Sequence, residues 1–444
     1  MRPVADFVAL PATKRYVSVQ GKFSIALGAG AAWLVVALAA ARWVVPALGG
    51  VVGWPIAVPL YLVVVAMPGA LGAFTVAGIA LDRPPTPAVA HPTLPVTVAI
   101  TSHNQPRTIV STLQWIRVQD YDGPLTVLLV DSGSTDSTVD EARRAAAGLG
   151  LELRIVVERR PGVVHARNAA TACAQTPLLA LVEAGTLLHP SAIRMLVARL
   201  LRSPADTAAV SAHVLVRNHR NGRLAEAVAY GYSLSVHASQ RLHGLFQAPL
   251  VAEGACSLYR TDAVRAVGGW TRDDADGVTL AWQFLERGWH VFHEPLAVAF
   301  TTWSVRAGSW SARRIRAAQT IVEAARRNGI GALRFPFNRF VAFTDAAAPL
   351  TDGVFAGGAL LALALALSGA PALVVAYGVL VLPVSILEAV VVRRAARRVM
   401  DDVGLRVSGG PVSWLASATG LHCVQGPLGA GSALAHAFGR VADS

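Results

Sequence analysis

The sequence predicts a doubly wound, mostly parallel α/β domain held between two apolar helical hairpins. Three observations predict it. The 444 residues are 54% hydrophobic and 15% charged, with a mean hydropathy of +0.48, too apolar for a chain of this size living wholly in water. Long runs with little or no charge lie towards both ends. Between them, short β-rich runs recur about every thirty residues with helical patterns in the gaps, as βαβ units require.

In chain order, residues 1–22 form a basic segment carrying Arg2, Lys14, Arg15 and Lys22. Residues 23–81 hold two transmembrane helices, 23–48 interrupted by Arg42 and 51–81 free of charge. Each exceeds the ~20 residues that a hydrocarbon core requires, and the first is too long and too far from the start for a cleaved signal peptide. Gly49-Gly50 joins them into a hairpin with both ends on one side. Residues 82–95, DRPPTPAVAHPTLP, are a proline-rich linker in which no helix continues.

From 96 to 308 the texture is that of a water-facing domain, with strands at VTVAI, LTVLLV, LRIVV and LLALV and helices at 135–148 and 190–202. Residues 309–345 read as interfacial amphipathic helices. Residues 346–392 hold a second pair of spans, 353–368 and 371–392, split by SGAP. The remainder, 393–444, opens with the basic RRAARR and contains a weaker apolar segment, 411–438, read as a re-entrant piece or a third C-terminal span.

The net charge of +12 is carried almost wholly by arginine, since Lys14 and Lys22 are the only lysines. Basic residues precede the first span and follow 371–392, while the hairpin tips carry none beyond Arg42. This bias places the N-terminus, the central domain and RRAARR in the cytoplasm, with the spans in the cell membrane. Basic loops beside membrane helices account for the charge without nucleic acid as a partner. Cys173, Cys256 and Cys423 are few, odd in number and widely spaced, forming neither a disulfide framework nor a zinc pattern.

The chemistry-bearing sequence begins at VTVAITSHNQPRTIVSTLQWIRVQDYDGPLTVLLVDSGSTDST, residues 96–138. A strand ends at TSHNQ, a helix follows, and a second strand ends in Asp131 before a Ser-Gly-Ser-Thr-Asp turn. Ligands of open parallel sheets bind at the carboxyl ends of the strands, where Asp131 would accept hydrogen bonds from a ribose or a base. Gly133 and Ser134 allow a tight turn, and Asp136 with Ser137 caps the next helix. A later stretch, LLALVEAGTLLHP at 178–190, is a strand ending in Glu183-Ala184-Gly185, with Pro190 where another helix begins.

QDYDGPLTVLLVDSGSTDST resembles the nucleotide-binding segment of the family 2 glycosyltransferases. The resemblance runs from Val96 to about Arg327, through GVVHARNAATACAQTPLLALVEAGTLLHPSAIRML with its Asn168, VAEGACSLYRTDAVRAVGGW (251–270) and RGWHVFHEP (287–295). With its flanking hairpins the layout resembles the membrane polysaccharide synthases for poly-N-acetylglucosamine, hyaluronan, cellulose and chitin oligosaccharides. The resemblance implies a GT-A-like domain that binds a nucleotide-sugar, a UDP-sugar above all, with Mg²⁺ or Mn²⁺ at the diphosphate. A carboxylate would deprotonate a hydroxyl of a glycan or lipid-linked acceptor, which attacks the anomeric carbon as the nucleotide leaves. It also implies His103 and Gln105 near the uracil and Asp131 beside the nucleoside.

Four motifs depart from the family pattern. Its Asp-x-Asp falls on Glu183-Ala184-Gly185, leaving Glu183 as the metal ligand. The basic residue of its glycine–lysine motif falls on Val163, with Arg159, Arg160 and Arg167 nearby as substitutes. Its Glu-Asp pair, matched without a gap back from RGWHVFHEP, falls on Asp276-Gly277; a one-residue shift makes Asp274 or Asp276 the base, while DDAD (273–276) also reads as a helix cap. Its Gln-x-x-Arg-Trp helix falls within 309–320, where Arg314 or Arg316 either approaches the diphosphate or lies on the basic face of an interfacial helix. Two functions follow: a membrane-bound glycosyltransferase, or a catalytically impaired subunit of the same fold that binds nucleotide or a protein partner.

Overall fold

The computed structural model describes residues 17–82, 91–216, 240–247, 255–271, 277–301 and 322–403. The chain opens with two long helices, α1 (Val19–Val52) and α2 (Trp54–Leu81, with a π-helical turn at Leu62–Ala66). The bend between them falls at Gly53 rather than at the expected Gly49-Gly50, which stay helical. Gly53 takes φ 80°, its N–H closes onto the Gly49 carbonyl, and Pro55 sits in the first turn of α2, where a missing N–H costs nothing.

The central domain follows as β1 (Val96–Ser102), α3 (Pro106–Arg117), β2 (Leu125–Asp131), α4 (Thr138–Leu149), β3 (Leu153–Val157), α5 (Val163–Cys173), β4 (Leu178–Glu183) and β5 (Leu187–Leu188). It continues through α6 (Ala192–Arg202), β6 (Thr207–Val216), β7 (Cys256–Arg260), α7 (Thr261–Val267), α8 (Val278–Glu286) and β8 (His290–Thr301). These strands form one eight-stranded sheet in the order β3-β2-β1-β4-β7-β6-β8-β5. β3, β2, β1 and β4 are mutually parallel, β7 runs against both β4 and β6, and β8 is parallel to β6. The sheet is therefore mostly parallel and wound in both directions from β1.

All seven residues of β1 are buried, as a central strand covered on both faces demands. One core lies between the sheet and α3, α4 and α6, around Ile100, Leu113, Leu129 and Leu196. The other lies beneath α5, α7 and α8, around Leu181, Tyr259, Trp282 and Phe284. Predicted strand ends place the residues at which chemistry is expected along the single edge where β1, β2 and β4 stop.

The C-terminal helices are α9 (Pro336–Leu367) and α10 (Ala372–Asp402, with a π-helical turn at Tyr377–Val381). The expected boundary at 345/346 falls inside α9, which runs without a break from Pro336 at its first position. Gly369, at φ 94°, and Pro371 end it at the SGAP turn. RRAARR does not follow the last helix but forms part of it, because alanine and arginine are both good helix formers.

Among the described residues, three helices are long and apolar enough to cross a membrane: Val19–Val52, Trp54–Leu81 and Ala372–Asp402. The apolar part of α9, Gly357–Leu367, is a shorter stretch. Where the hairpins meet the central domain, Phe23, Phe74, Phe246 and Phe340 pack together, and Arg241 pairs with Asp82 at 2.6 Å beside the end of α2. The segment 411–438 lies outside the described residues.

Candidate functional site: a cleft at the strand ends

Register brings three strand ends together. Ser102 at the end of β1 pairs with Asp131 at the end of β2, and Thr101 pairs with Glu183 at the end of β4. Because these strands run the same way, their side chains and following loops share one edge of the sheet. There a cleft of ≈ 340 Å³ is lined by Ser102, His103, Gln105, Ser132 and Glu183 together with Gly162, Val163 and Ala166. That volume lies within the usual range for small-molecule sites, roughly 300–1,000 Å³.

The loops after β1 and β2 hold each other. Asn104, in the left-handed region at φ 52°, accepts from the Thr135 N–H and donates its own N–H to Ser134 Oγ, each at 2.9 Å. The Gln105 N–H donates to Thr138 Oγ1 at 2.8 Å. His103 Nδ1 lies 2.9 Å from the Ser132 carbonyl oxygen, which can only accept, so the proton sits on Nδ1. The rim at which His103 and Gln105 stand is thus cross-braced before any ligand arrives. Asp136 Oδ1 accepts from the Thr138 N–H at 3.0 Å at the start of α4, while Ser137, at the N-cap position, makes no side-chain capping bond.

Asp131 is the buried acid of this rim, 3% exposed. Its Oδ2 accepts the Ser134 N–H at 3.0 Å, while its Oδ1 has no hydrogen-bond partner among the described residues. Ser102 Oγ, beside it in register, is likewise buried and without a partner among them. Buried polar atoms are nearly always paired, and an unpaired one costs roughly 1–3 kcal/mol. An acceptor and a hydroxyl left open side by side suit a ligand that both donates and accepts.

The sequence offered three arginines in place of the family's lysine, and their surroundings differ. Arg160 forms a two-pronged pair with Glu158, Nε to Oε1 at 3.0 Å and Nη2 to Oε2 at 2.9 Å, and holds that carboxyl down at about 2. Arg159 is exposed. Arg167, one turn into α5, is buried, and its Nη2 lies 3.3 Å from Glu183 Oε1. The sequence named Arg167 only as a substitute; that it reaches the end of β4 follows from how α5 packs on the sheet.

Gly185, where a second acid would stand, has φ 96°, and its N–H donates to Thr112 Oγ1 at 2.9 Å. Gly277, onto which the ungapped match puts the catalytic acid, is the N-cap of α8 at φ 75°. Both positions have the backbone geometry that favours glycine. Asp274 and Asp276 lie outside the described residues, as do Arg314 and Arg316. Asn168, whose role the sequence does not indicate, donates from Nδ2 to the Trp270 carbonyl and accepts the Trp270 N–H, both at 2.9 Å. That clamp ties α5 to the segment leading into 272–276.

The donor set can be tested against Mg²⁺ or Mn²⁺, hard cations that favour several oxygen ligands. Glu183 is one carboxylate, already ion-paired; Gly185 has no side chain to give; and no group of three His, Cys, Asp or Glu residues that could hold a metal occurs among the described residues. Glu183 is thus the carboxylate that the end of β4 offers, and Mg²⁺ or Mn²⁺ held there would take its other ligands from the diphosphate and water.

Residues 92–321, a little over half the chain, match the model of the glycosyltransferase-like family 2. The chain belongs to the family 2 glycosyltransferases. Relatives in this family include a poly-beta-1,6-N-acetyl-D-glucosamine synthase of Staphylococcus aureus, 22% identical over 225 residues that make up 50% of this chain and 54% of that protein. An N-acetylglucosaminyltransferase of Rhizobium sp. (strain N33) is 26% identical over 237 residues, 51% of this chain and 52% of that protein. The chain therefore spans about half the length of the curated relatives it matches. A mannosyltransferase of Pyrobaculum calidifontis, solved with GDP-Man and Mn²⁺, shares the fold at a TM-score of 0.56 and 24% identity, over 78% of this chain and 99% of that one. As a family 2 glycosyltransferase the chain has the GT-A fold, with apolar helices added at both ends.

Proposed function

We propose that this family 2 glycosyltransferase moves a sugar from a nucleotide-sugar, a UDP-sugar above all, to a glycan or lipid-linked acceptor at the cell membrane. The observation that carries the reading is the cleft at the ends of β1, β2 and β4, lined by Ser102 with its open Oγ, beside which Asp131 stands in register with its own open Oδ1. A nucleoside supplies both the donor that Asp131 lacks and an acceptor for Ser102. His103 and Gln105 then flank the base, and the diphosphate extends towards Glu183 and the start of α5. The names of the relatives, a poly-N-acetylglucosamine synthase and an N-acetylglucosaminyltransferase, support an amino-sugar donor and a glycan product.

In this reading Asp276 or Asp274 takes the proton of the acceptor hydroxyl, which attacks the anomeric carbon as the nucleotide departs. Arg314 or Arg316 approaches the diphosphate from the segment beyond β8. The arginine bias supports a domain on the cytoplasmic side. Of the Mg²⁺ or Mn²⁺ expected with such a donor, the described residues offer Glu183 alone as a ligand.

A second reading, a nucleotide-binding subunit that transfers nothing, is favoured by one observation: Gly185 and Gly277, where the family's acids are missing, both have positive φ, 96° and 75°. Nucleotide release decides between them. The detergent-purified full chain is incubated with UDP-GlcNAc, UDP-glucose and GDP-mannose, each with and without membrane extract as acceptor source. Release that falls at least tenfold in Asp276→Asn or Asp274→Asn supports transfer, since a lost general base costs roughly 10²–10⁴-fold. Nucleotide binding with no release from any donor supports the second reading.

A further inference from the structure

We propose that Arg394, Arg397 and Arg398, on the final turns of α10, form a binding site for the headgroups of anionic phospholipids. The proposal rests on the reading of α10 as a membrane span and is independent of the sugar chemistry assigned to the cleft. Three features of one helix carry it.

First, the helix delivers these arginines to the right depth. α10 runs without a break from its apolar stretch into RRAARR. That stretch ends at Val392, and Arg394, Arg397 and Arg398 follow two, five and six residues later. At a rise of about 1.5 Å per residue they stand roughly 3–9 Å beyond it. The headgroup layer on each side of a hydrocarbon core is itself roughly 5–8 Å deep. The guanidiniums therefore reach the level of the lipid phosphates.

Second, they point towards lipid and away from the domain. All three are exposed, and their i, i+3, i+4 spacing puts them on one face. Leu387, seven residues before Arg394 and thus nearly two turns back on that face, is exposed as well. The opposite face is occupied: Val392, Ala396, Val399 and Met400 are buried, and α10 packs along α2 and against β8. An acidic protein would match the charge of the arginines, but their face is the direct continuation of the apolar one that leaves the bilayer. Because the same helix packs against β8, a headgroup held here also anchors the sheet beside the bilayer.

Third, the charge of this face is unmatched. Among the described residues none of the three arginines forms an ion pair, although Asp401 and Asp402 stand one turn further on. Like charges three and four residues apart on a helix repel one another, so the face gains from a counter-charge. A phosphate-bearing headgroup supplies it, and the guanidinium fork matches phosphate oxygens.

The test is titration of the detergent-released full chain with phosphatidylglycerol and, separately, with phosphatidylcholine of the same acyl chains, bound lipid being counted by native mass spectrometry. The expected result is that the first phosphatidylglycerol binds at least tenfold more tightly than phosphatidylcholine. The combined variant Arg394→Gln, Arg397→Gln, Arg398→Gln loses at least tenfold for phosphatidylglycerol, at roughly fivefold per arginine, and binds phosphatidylcholine as before. Lysine at the same three positions keeps the preference. Equal binding of the two lipids by the unaltered chain overturns the site, as does a glutamine variant that binds phosphatidylglycerol undiminished. An equal loss in the glutamine and lysine variants overturns it too, since charge would then not be what binds. Extraction of the unaltered chain from membranes by alkaline carbonate is a different failure, that of the membrane reading itself. If the combined glutamine variant does not fold, the three single variants, each expected to lose roughly fivefold, make the same comparison.

Discussion

Arg167 and Glu183 form an ion pair in which the cation is buried and the anion half-exposed, with Nη2 3.3 Å from Oε1. Removing Glu183 takes a charged contact from a buried guanidinium, whereas removing the arginine frees a carboxylate that water already reaches. Glu183→Ala is therefore expected to lower stability by about 1–3 kcal/mol, and Glu183→Gln, which keeps an acceptor, by less. The ordering of the two Tm values in thermal denaturation of the detergent-solubilised chain checks this. Equal Tm values for Glu183→Ala and the unaltered chain would mean that the pair is not needed to hold Arg167.

Asp131 commits one oxygen to the fold and leaves the other open. Oδ2 belongs to the turn through the Ser134 N–H, while Oδ1 is open among the described residues. Asp131→Asn is expected to keep the fold and weaken nucleoside binding by roughly tenfold or more, the value of a charge-assisted hydrogen bond. Titration with uridine and UDP should give the same fold-loss for both, because the contact lies at the nucleoside end.

Restoring the second acid does not restore a metal site. Gly185→Asp places a side chain at φ 96°, where a non-glycine residue is strained by about 1–3 kcal/mol. The expected outcome is a lower Tm with no gain in Mn²⁺ affinity, read by calorimetry. A variant of unchanged Tm that binds Mn²⁺ tightly would show the loop to be more yielding than its geometry indicates.

The Asn168 clamp fixes the approach to residues 272–276. Truncating it in Asn168→Ala unpairs both backbone groups of Trp270 at once, a loss of about 2–4 kcal/mol. Gly269→Ala tests the same clamp from the other side, since a Cβ there would collide with Asn168 Oδ1 on a backbone at φ 77°. Both variants are expected to denature earlier in urea and to lose nucleotide release in proportion.

Two buried histidines make the domain acid-sensitive. Burial pushes the His213 ring down from its ordinary 6.5 to about 4, and His293, with its ring 5.7 Å from that of His213, is lowered well below its ordinary value for the same reason. A depressed imidazole pKa means that the fold favours the neutral ring. Its contribution to stability is full above pH 6.5 and is lost as pH falls towards about 4. Tm measured across that window should drop, and His213→Gln should flatten the drop. A level Tm between pH 7 and 5 would contradict this.

Much of this arrangement is written locally. Unbroken apolar runs determine the long helices, and the β-rich runs at 96–100, 125–130, 153–157 and 178–182 become the four parallel strands at the heart of the sheet. Their common direction then sends Ser102, Asp131 and Glu183 to one edge. Periodicity and strand length record how each segment meets water or core, and that record needs no knowledge of distant residues.

Other features were decided by tertiary packing. Three arginines stood near the missing lysine, and the sequence had no means of choosing among them. Packing chose: Arg160 turned to Glu158, and Arg167 was buried against Glu183 on a different element. The loss of an acid at 185 was legible, but not that the backbone there has a positive φ and a bound N–H, because torsion angles in a loop follow from what the loop is tied to. The turn moved to Gly53 and the helix ran on through RRAARR for the same kind of reason. Helix ends are set by capping and close contacts that composition leaves nearly balanced. The sequence alone determined which elements form and which strand ends meet; which charges face each other across them was fixed only when α5 closed on the sheet, since an ion pair depends on distance and burial in three dimensions.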